Sequence, residues 1–367
     1  MSSFNWQQKE WPSFNFDLTN SEEHLFSFYE HIGHVTGMLK AIPDDMQMET
    51  LIDIMVAEAI KTSEIEGEFL SRKDVMSSIK KNLGLITQDE NRDVRAAGIS
   101  LLMIDLRNTF SQPLTPQTLF DWHTMIMSNA KDIEIGKWRT HNEPMQVISG
   151  ALGKQKVHFE APPSAVVLTE MENFIKWFNN TAPGSSKEIK NAMIRSAISH
   201  LYFESIHPFE DGNGRIGRAI AEKALSQGIG RPIMLSLSKT IESNKKRYYT
   251  ELEKAQLSME INSWLTYFVE TILEAQLDSE SMIDFTLKKV KFFDKFRDLL
   301  NDRQLIVMKR LLEEGPEGFT GGMNARKYGS IAKVSKATAT RDLQYLLETK
   351  ALIVSGSGRS TSYSVNL

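Results

Sequence analysis

The sequence predicts a mainly α protein of two or three domains, with one β-hairpin in its body and a small tail that ends in a second hairpin. Three observations carry this. Apolar residues recur at helical spacing along most of the chain, as Leu51, Ile54, Met55, Ala59 and Ile60 do. Strand-like segments are confined to MQVI with KQKVHF in the body and to ALIVSGSGRSTSYSV at the end. A length of 367 residues is too great for one ordinary core.

Taken in order, the elements begin with Trp6, Trp11, Phe14 and Phe16 around Pro12, an aromatic content that predicts an arm docked on the body. Helices are expected over Ser21–Leu39, with Ser21 as a cap, and over Glu49–Ile65, stopped by Gly67. Others follow near Asp93–Phe110 and Pro116–Met127, where proline suits a first turn. Residues Trp138–Pro163 break the rhythm, and SGALG joins the two β-prone segments into a hairpin. Helices resume at Ser164–Phe178, Ser186–Ser205, Gly214–Gln227, Lys239–Ala255 and Ile261–Leu300.

A boundary is expected near Asp298–Asp302. Beyond it, helices at Arg303–Glu314, Asn324–Val334 and Lys336–Lys350 precede the last hairpin, the pattern of a winged helix-turn-helix. The expected organisation is therefore an N-terminal arm and helical region (1–110), a central domain (111–275), a linking helix (276–300) and a winged helix-turn-helix domain (301–367).

Composition excludes several classes of function. With 41% apolar and 25% charged residues the chain is neither disordered nor fibrous. The absence of cysteine rules out disulfides, thiol nucleophiles and Cys-ligated metals, and fits a reducing compartment. No secretory signal opens the sequence, and no window reaches the roughly 18 apolar residues that span a bilayer. A cytoplasmic location is the expectation. Residues 301–367 hold ten basic and six acidic residues, against a net charge of −4 for the whole chain. A basic tail on an acidic body hints at nucleic-acid contact.

The most informative run is HPFEDGNGRIGR, residues 207–218. A helical segment precedes it, and Pro208 ends that helix just after His207. The next helix opens at the glycines, so free backbone N–H groups and the positive end of a helix dipole form an anion site. Gly212 and Gly214 permit close approach of a phosphate. Arg215 and Arg218, three apart, share a helix face and can both reach it. Asp211 offers an oxygen ligand suited to Mg²⁺. His207 is the side chain whose unperturbed pKa, about 6.5, suits a general base. These parts suffice for phosphoryl or nucleotidyl chemistry.

GNGRIG also matches the start of the dinucleotide fingerprint G-x-G-x-x-G. That fingerprint has meaning only after a strand within a βαβ unit. Here a helix precedes it and no parallel-strand pattern surrounds it, so the match is rejected.

At this run the sequence resembles the Fic (filamentation induced by cAMP) family, whose signature HPFx[DE]GNGRxxR is matched at every specified position. The similarity extends through GKWR at 136–139, the hairpin, APP at 161–163 and KRYYTELEKA at 246–255, roughly residues 40–275. The resemblance implies a Fic-type helical bundle with a β-hairpin flap. It also implies transfer of AMP from ATP to a Ser, Thr or Tyr hydroxyl with release of pyrophosphate. His207 would then be the base and Asp211 the Mg²⁺ ligand. Gly212, Asn213 and Gly214 would cradle the phosphates, Arg215 and Arg218 would add charge, and Phe209 would anchor the loop.

A second motif of the family, [ST]xxxE[GN], is matched by Thr62–Gly67. The resemblance implies that Glu66 pairs with Arg218 and blocks productive binding of the γ-phosphate, with Thr62 and Gly67 completing the motif. The hairpin would act as a flap that pairs edge-on with the target, placing Val147, Ile148, Ser149 and Gly150 near the nucleotide. Tyr248 resembles an adenine-pocket aromatic. Where some relatives have Asn eight residues later, this chain has Gln256.

The expected partners are ATP, a protein with an exposed hydroxyl (the chain itself included), DNA through the C-terminal winged helix, and a second copy of the chain as a homodimer. No membrane is expected. In the tail, Lys336, Thr338, Thr340 and Arg341 are candidates to face a phosphate backbone or base edges. His24, His31 and His34 fall on one helix face without a further ligand, and His123 and His158 carry no distinguishing signal. Two other readings stay open: removal of AMP or transfer of another nucleotide by the same site, and a DNA-binding regulator whose Fic domain senses nucleotide.

Overall fold

The computed structural model describes residues 4–17, 22–86, 93–149, 156–316, 318–319, 321–356 and 358–367. The chain is mostly helical and divides into two compact units. The first comprises Met1–Ile32 and Leu51–Leu277, the second Gly33–Thr50 and Asp278–Leu367. In chain order the helices begin α1 (Glu22–Lys40), α2 (Asp44–Ile65), α3 (Arg72–Asn82), α4 (Val94–Thr109) and α5 (Pro116–Met127). Strands β1 (Gln146–Ser149) and β2 (Lys156–Glu160) follow, then α6 (Ser164–Asn180), α7 (Ala192–Ile206), α8 (Asn213–Ile229), α9 (Leu237–Ser243) and α10 (Lys245–Ala255). Next come α11 (Asn262–Phe296), α12 (Asp302–Leu312), α13 (Ala325–Ala332), α14 (Lys336–Glu348), and strands β3 (Leu352–Ser355) and β4 (Ser362–Val365).

Local chemistry sets most helix starts. The side chains of Asp93 and Thr115 accept from Arg95 N and Thr118 N, and Pro116 occupies the first turn of α5. Asn191 accepts from Met193 N and Ile194 N, so α7 begins at Ala192 and not at Ser186 as the apolar spacing suggests. The helix expected over Lys239–Ala255 is broken at Asn244. That residue ends α9 and caps α10 through Arg247 N. Helix α3 went unread in the sequence because it buries only Val75, Ser78 and Ile79, too thin an apolar stripe to stand out. The Ser21 cap lies outside the described residues.

At the centre of the first unit is α7, in which every residue is buried. Around it pack Leu225 of α8, Leu252 of α10 and Trp264, Phe268 and Ile272 of α11. Each such side chain stabilises the fold by about 1.5–3 kcal/mol. Helix α8 approaches α7 at Gly217, where a Cβ would fall 2.3 Å from Glu204 Oε1. The contact leaves room for glycine alone.

The N-terminal arm is docked. Asn5 donates to Ser205 Oγ at 2.8 Å, and the Trp6 indole donates to the carbonyl of Glu160 at 2.6 Å. Trp11 packs edge-on against Tyr202 at 5.1 Å.

In the second unit α12, α13 and α14 enclose Val307, Met308, Leu311, Tyr328, Leu343 and Leu346, with β3 and β4 paired antiparallel. Buried Asp342 on α14 joins the three helices, accepting from Arg303 (2.9 Å), Gln304 (3.1 Å) and the Tyr328 hydroxyl (3.1 Å). The helix, helix, helix, hairpin order expected of the tail is present. Among the described residues no helix is long and apolar enough to cross a membrane.

Candidate active site

The signature run spans the end of α7 and the start of α8. His207 follows the last residue of α7 in the left-handed conformation (φ 51°, ψ 60°), its N–H on the carbonyl of Phe203. For a non-glycine residue this costs about 1 kcal/mol or more, so the surroundings must hold it. The ring lies 3.6 Å from the buried carboxylate of Glu204, one turn earlier on α7, an ion contact longer than a hydrogen bond. Burial raises the Glu204 carboxyl, but His207, His200 and Arg218 outweigh it and hold it below its ordinary range.

Gly212, also left-handed at φ 81°, turns the chain into α8. The first N–H groups of that helix then have no intrahelical acceptor. Asn213 spends its side chain on the loop: its amide oxygen accepts from Phe209 N (2.9 Å) and its amide nitrogen donates to Phe209 O (2.8 Å). What it leaves for an anion is its backbone N–H. Phe209 is fully buried and stacks on His123 at 4.2 Å, with Trp138 at 5.0 Å.

Both arginines are buried, and each meets a carboxylate from the segment after α2. Arg218 Nη2 lies 2.8 Å from Glu66 Oε1, while its Nε donates to Thr62 Oγ1 and its Nη2 to Thr62 O, each at 2.8 Å. Desolvation disfavours the Arg218 charge, and Glu66 more than offsets it, raising its pKa. Arg215 Nη1 lies 2.7 Å from Glu68 Oε2, a contact absent from the sequence reading. Gly67 makes it possible. Its left-handed φ of 83° ends α2 and folds the chain back, so that Glu68 N bonds Ser63 O. Among the described residues Arg218 Nη1 and Arg215 Nε are buried donors without an acceptor. A Cβ at Gly214 would fall 2.1 Å from Glu66 Oε1, so the carboxylate rests on the helix N-terminus itself.

Glu66 and Gly214 open onto a cleft of about 680 Å³ in the first unit. Its walls include Glu66, His207, Asp211, Gly212, Asn213, Gly214 and, from the hairpin, Val147 and Ile148. Ser149 ends β1, and Gly150 lies outside the described residues. The two strands form an isolated antiparallel pair, and Ile148 faces Val157 with both side chains exposed. Lys156 and His158 of β2 reach Glu253 on α10, each at 3.1 Å.

Tyr248 is fully buried, with its hydroxyl 2.8 Å from His200 Nε2, and burial pushes that hydroxyl well up. Only its ring is available to the cleft. The neighbouring Tyr249, 38% exposed, lines the same cleft and was not singled out from sequence. Gln256 donates to the carbonyl of Glu204 at 3.2 Å.

Asp211 is exposed at the cleft, with Oδ1 accepting from Gly212 N at 2.6 Å. Among the described residues no three His, Asp or Glu side chains cluster to hold a metal. The exposed Asp211 carboxylate fits a Mg²⁺ whose remaining ligands are phosphate oxygens and water.

Two further residues support the loop from a distance in sequence. His123, buried and held neutral by desolvation, accepts from Gly136 N at 2.9 Å, which leaves Nε2–H to donate to the Asp211 carbonyl at 3.2 Å. Arg139 Nε donates to the His207 carbonyl at 2.8 Å. No local pattern announces His123, and Arg139 closes the GKWR run without a role having been read for it.

Residues 113–225 match the model of the Fic/DOC family, and residues 4–85 match a domain of unknown function, DUF4172. Protein adenylyltransferase fic-1 of Caenorhabditis elegans is 23% identical over 244 residues, 65% of this chain and 42% of that protein. A probable protein adenylyltransferase of Aquifex aeolicus is 27% identical over 119 residues, 32% of this chain and 33% of that protein. The chain thus spans well under half the length of these relatives. The crystal structure of a Fic family protein from Desulfovibrio desulfuricans aligns over 94% of this chain and 96% of its own (TM-score 0.52, 17% identity). That of a Fic domain containing signaling protein from Bacteroides thetaiotaomicron covers 71% of this chain and 97% of its own (TM-score 0.54, 18% identity). Both likenesses establish a shared fold.

Proposed function

We propose that this chain, a Fic-domain protein, transfers AMP from ATP to a Ser, Thr or Tyr hydroxyl of a protein, and that its resting state is inhibited by Glu66. The observation that carries the reading is the placement of the His207 ring in one cleft with the N-terminus of α8 and with Glu66, whose partner Arg218, buried on the same helix, keeps an unpartnered donor. That combination suits a base acting beside a polyphosphate.

In this mechanism His207 accepts the proton of the target hydroxyl as its oxygen attacks the α-phosphorus. The bond from that phosphorus to the bridging oxygen breaks, and pyrophosphate leaves with its electron pair. Gly212 turns the chain so that the backbone N–H groups of Asn213 and Gly214 face the phosphates, and Arg215 and Arg218 balance the charge that develops on the leaving group. Asp211 would hold Mg²⁺, which supplies further charge neutralisation. The exposed edge of β1 and β2 supports docking of an extended target segment by main-chain hydrogen bonds.

Inhibition follows from occupancy. The Glu66 carboxylate sits against Gly214 and Arg218, where an anion of the nucleotide would lie. Glu68 occupies Arg215 in the same way. The test is incubation of the Glu66→Gly chain with labelled ATP and cell lysate. Self-modification and target modification rise at least about tenfold, and adding His207→Ala removes at least about 99% of the gain. Mass spectrometry of the product identifies AMP. A different adduct mass would point to another nucleotide, and loss of mass from a modified substrate to the reverse reaction.

A second reading, compatible with the first, concerns the second unit. The face of α14 opposite its core carries Lys336, Thr340, Arg341 and Gln344, all exposed. Among the described residues none of the ion pairs involves Lys333, Lys336 or Arg341. Unpaired cations on the solvent side of a third helix support contact with duplex DNA through a winged helix.

A further inference from the structure

We propose that Arg139 is a positioning residue for the transfer, clamping the backbone at His207 and tying it to the stem of the hairpin. This rests on the reading of His207 as the base. Three successive carbonyls converge on this one residue. The Arg139 backbone N–H donates to Pro208 O at 2.9 Å, Nε donates to His207 O at 2.8 Å, and Nη2 reaches Ile206 O at 3.4 Å. The same guanidinium donates from Nη2 to Pro162 O at 2.5 Å and from Nη1 to Ser164 Oγ at 2.9 Å, just past the end of β2.

The electrostatics explain why an arginine stands here. Arg139 is buried, and desolvation alone moves its pKa, down to about 10, so it keeps its charge at neutral pH. Among the described residues no carboxylate pairs with it. Its counter-charge is the set of carbonyl dipoles at the C-terminus of α7, where a cation is favoured. A planar fork of five donors meets that set, whereas a lysine ammonium is a single point.

The consequence lies in geometry. His207 has a left-handed backbone that relaxes unless its carbonyl is held, and rotation there swings the ring away from the cleft. The phosphate cradle at 212–218 makes none of these bonds. Loss of the clamp therefore lowers turnover and leaves nucleotide binding intact. Misplacement of a base by about 1 Å costs roughly 100-fold in rate.

The test uses the full chain carrying Glu66→Gly, with Arg139→Lys added. The expected result is a fall in kcat of at least about tenfold with KM for ATP changed less than about twofold. The milder Ser164→Ala removes one bond orienting the guanidinium and lowers kcat about two- to fivefold, which keeps the test open if the lysine variant folds poorly. A kcat within twofold of the parent in both variants overturns the proposal, as does a KM that rises in proportion to the loss. The NMR chemical shifts of the His207 ring need no turnover. Arg139→Lys or Ser164→Ala moves them if the ring has been displaced, and unmoved ring signals in both overturn the proposal. Absence of transfer in the Glu66→Gly parent itself would count against the function and not against the clamp.

Discussion

Glu68 Oε2 meets Arg215 Nη1 at 2.7 Å, two residues beyond the carboxylate that meets Arg218. One turn at Gly67 thus places two carboxylates on two arginines. Glu68→Gln is expected to tighten binding of a non-hydrolysable ATP analogue by roughly two- to fivefold, read by calorimetry. Its side chain is 30% exposed, so solvent screens the contact and the gain is smaller than for Glu66→Gly. Unchanged affinity would mean that Glu68 does not compete with the nucleotide for Arg215.

A side chain at Gly214 would run into the Glu66 carboxylate. Alanine at 214 puts its Cβ 2.1 Å from Glu66 Oε1 and 3.1 Å from Arg218 Nη1. In the parent chain Gly214→Ala should cost about 2 kcal/mol by urea denaturation. With Glu66→Gly in place it should cost less than about 0.5 kcal/mol, because the clash is gone and alanine suits a helix. Equal costs in both backgrounds would show that the strain lies elsewhere.

A buried carboxyl on α8 links stability to pH. Burial and the neighbouring Glu58 push Glu222 up to about 8, with Arg107 opposing, although the residue as a whole keeps some surface. The folded chain therefore holds a proton that the unfolded chain, with an ordinary value of 4.5, has lost. Stability falls as pH rises from about 4.5 to about 8, then levels off. Glu222→Gln should reduce the drop in Tm between about pH 5 and about pH 8.5 by about 3 °C or more. An identical pH profile for the variant would contradict this.

Duplex DNA contact by α14 predicts a salt-dependent shift. Lys336→Glu with Arg341→Glu should weaken binding of a random-sequence duplex at low salt by about tenfold or more. The slope of log affinity against log salt should fall by about two. No binding by the parent at low salt would end that reading.

The N-terminal arm should contribute measurably to the first unit. Asn5 is fully buried, bonded to Ser205 and, through its N–H, to the carbonyl of Gln256 at 2.8 Å. Asn5→Ala leaves the Ser205 hydroxyl without that donor and should cost about 1–3 kcal/mol in chemical denaturation. A cost below about 0.5 kcal/mol would mean that the arm is loosely held.

Much of this arrangement was legible from residues close together in the chain. The helix stop at His207, the glycine turn and the paired arginine spacing occupy twelve consecutive residues, so local geometry decided them. The starts of α4 near Asp93 and of α5 at Pro116 were readable for the same reason. The break at Asn244 was not, because apolar spacing continues across it and a single side chain on Arg247 N divides the helix. Helix α3 buries too few side chains to leave a periodic trace.

By itself, the sequence determined a mainly helical protein with a glycine turn between two helices beside a histidine, and a family resemblance that set Glu66 against Arg218. Tertiary structure alone decided what holds that turn and that a second acid, Glu68, meets Arg215. Arg139 is 68 residues from the carbonyl it grips, His123 is 88 from Asp211, and Glu68 is 147 from Arg215. Periodicity and capping are interactions within a few residues, whereas burial brings distant groups together and makes their pairing obligatory. A buried cation or carbonyl must find a partner, and only the closed fold shows which one it takes.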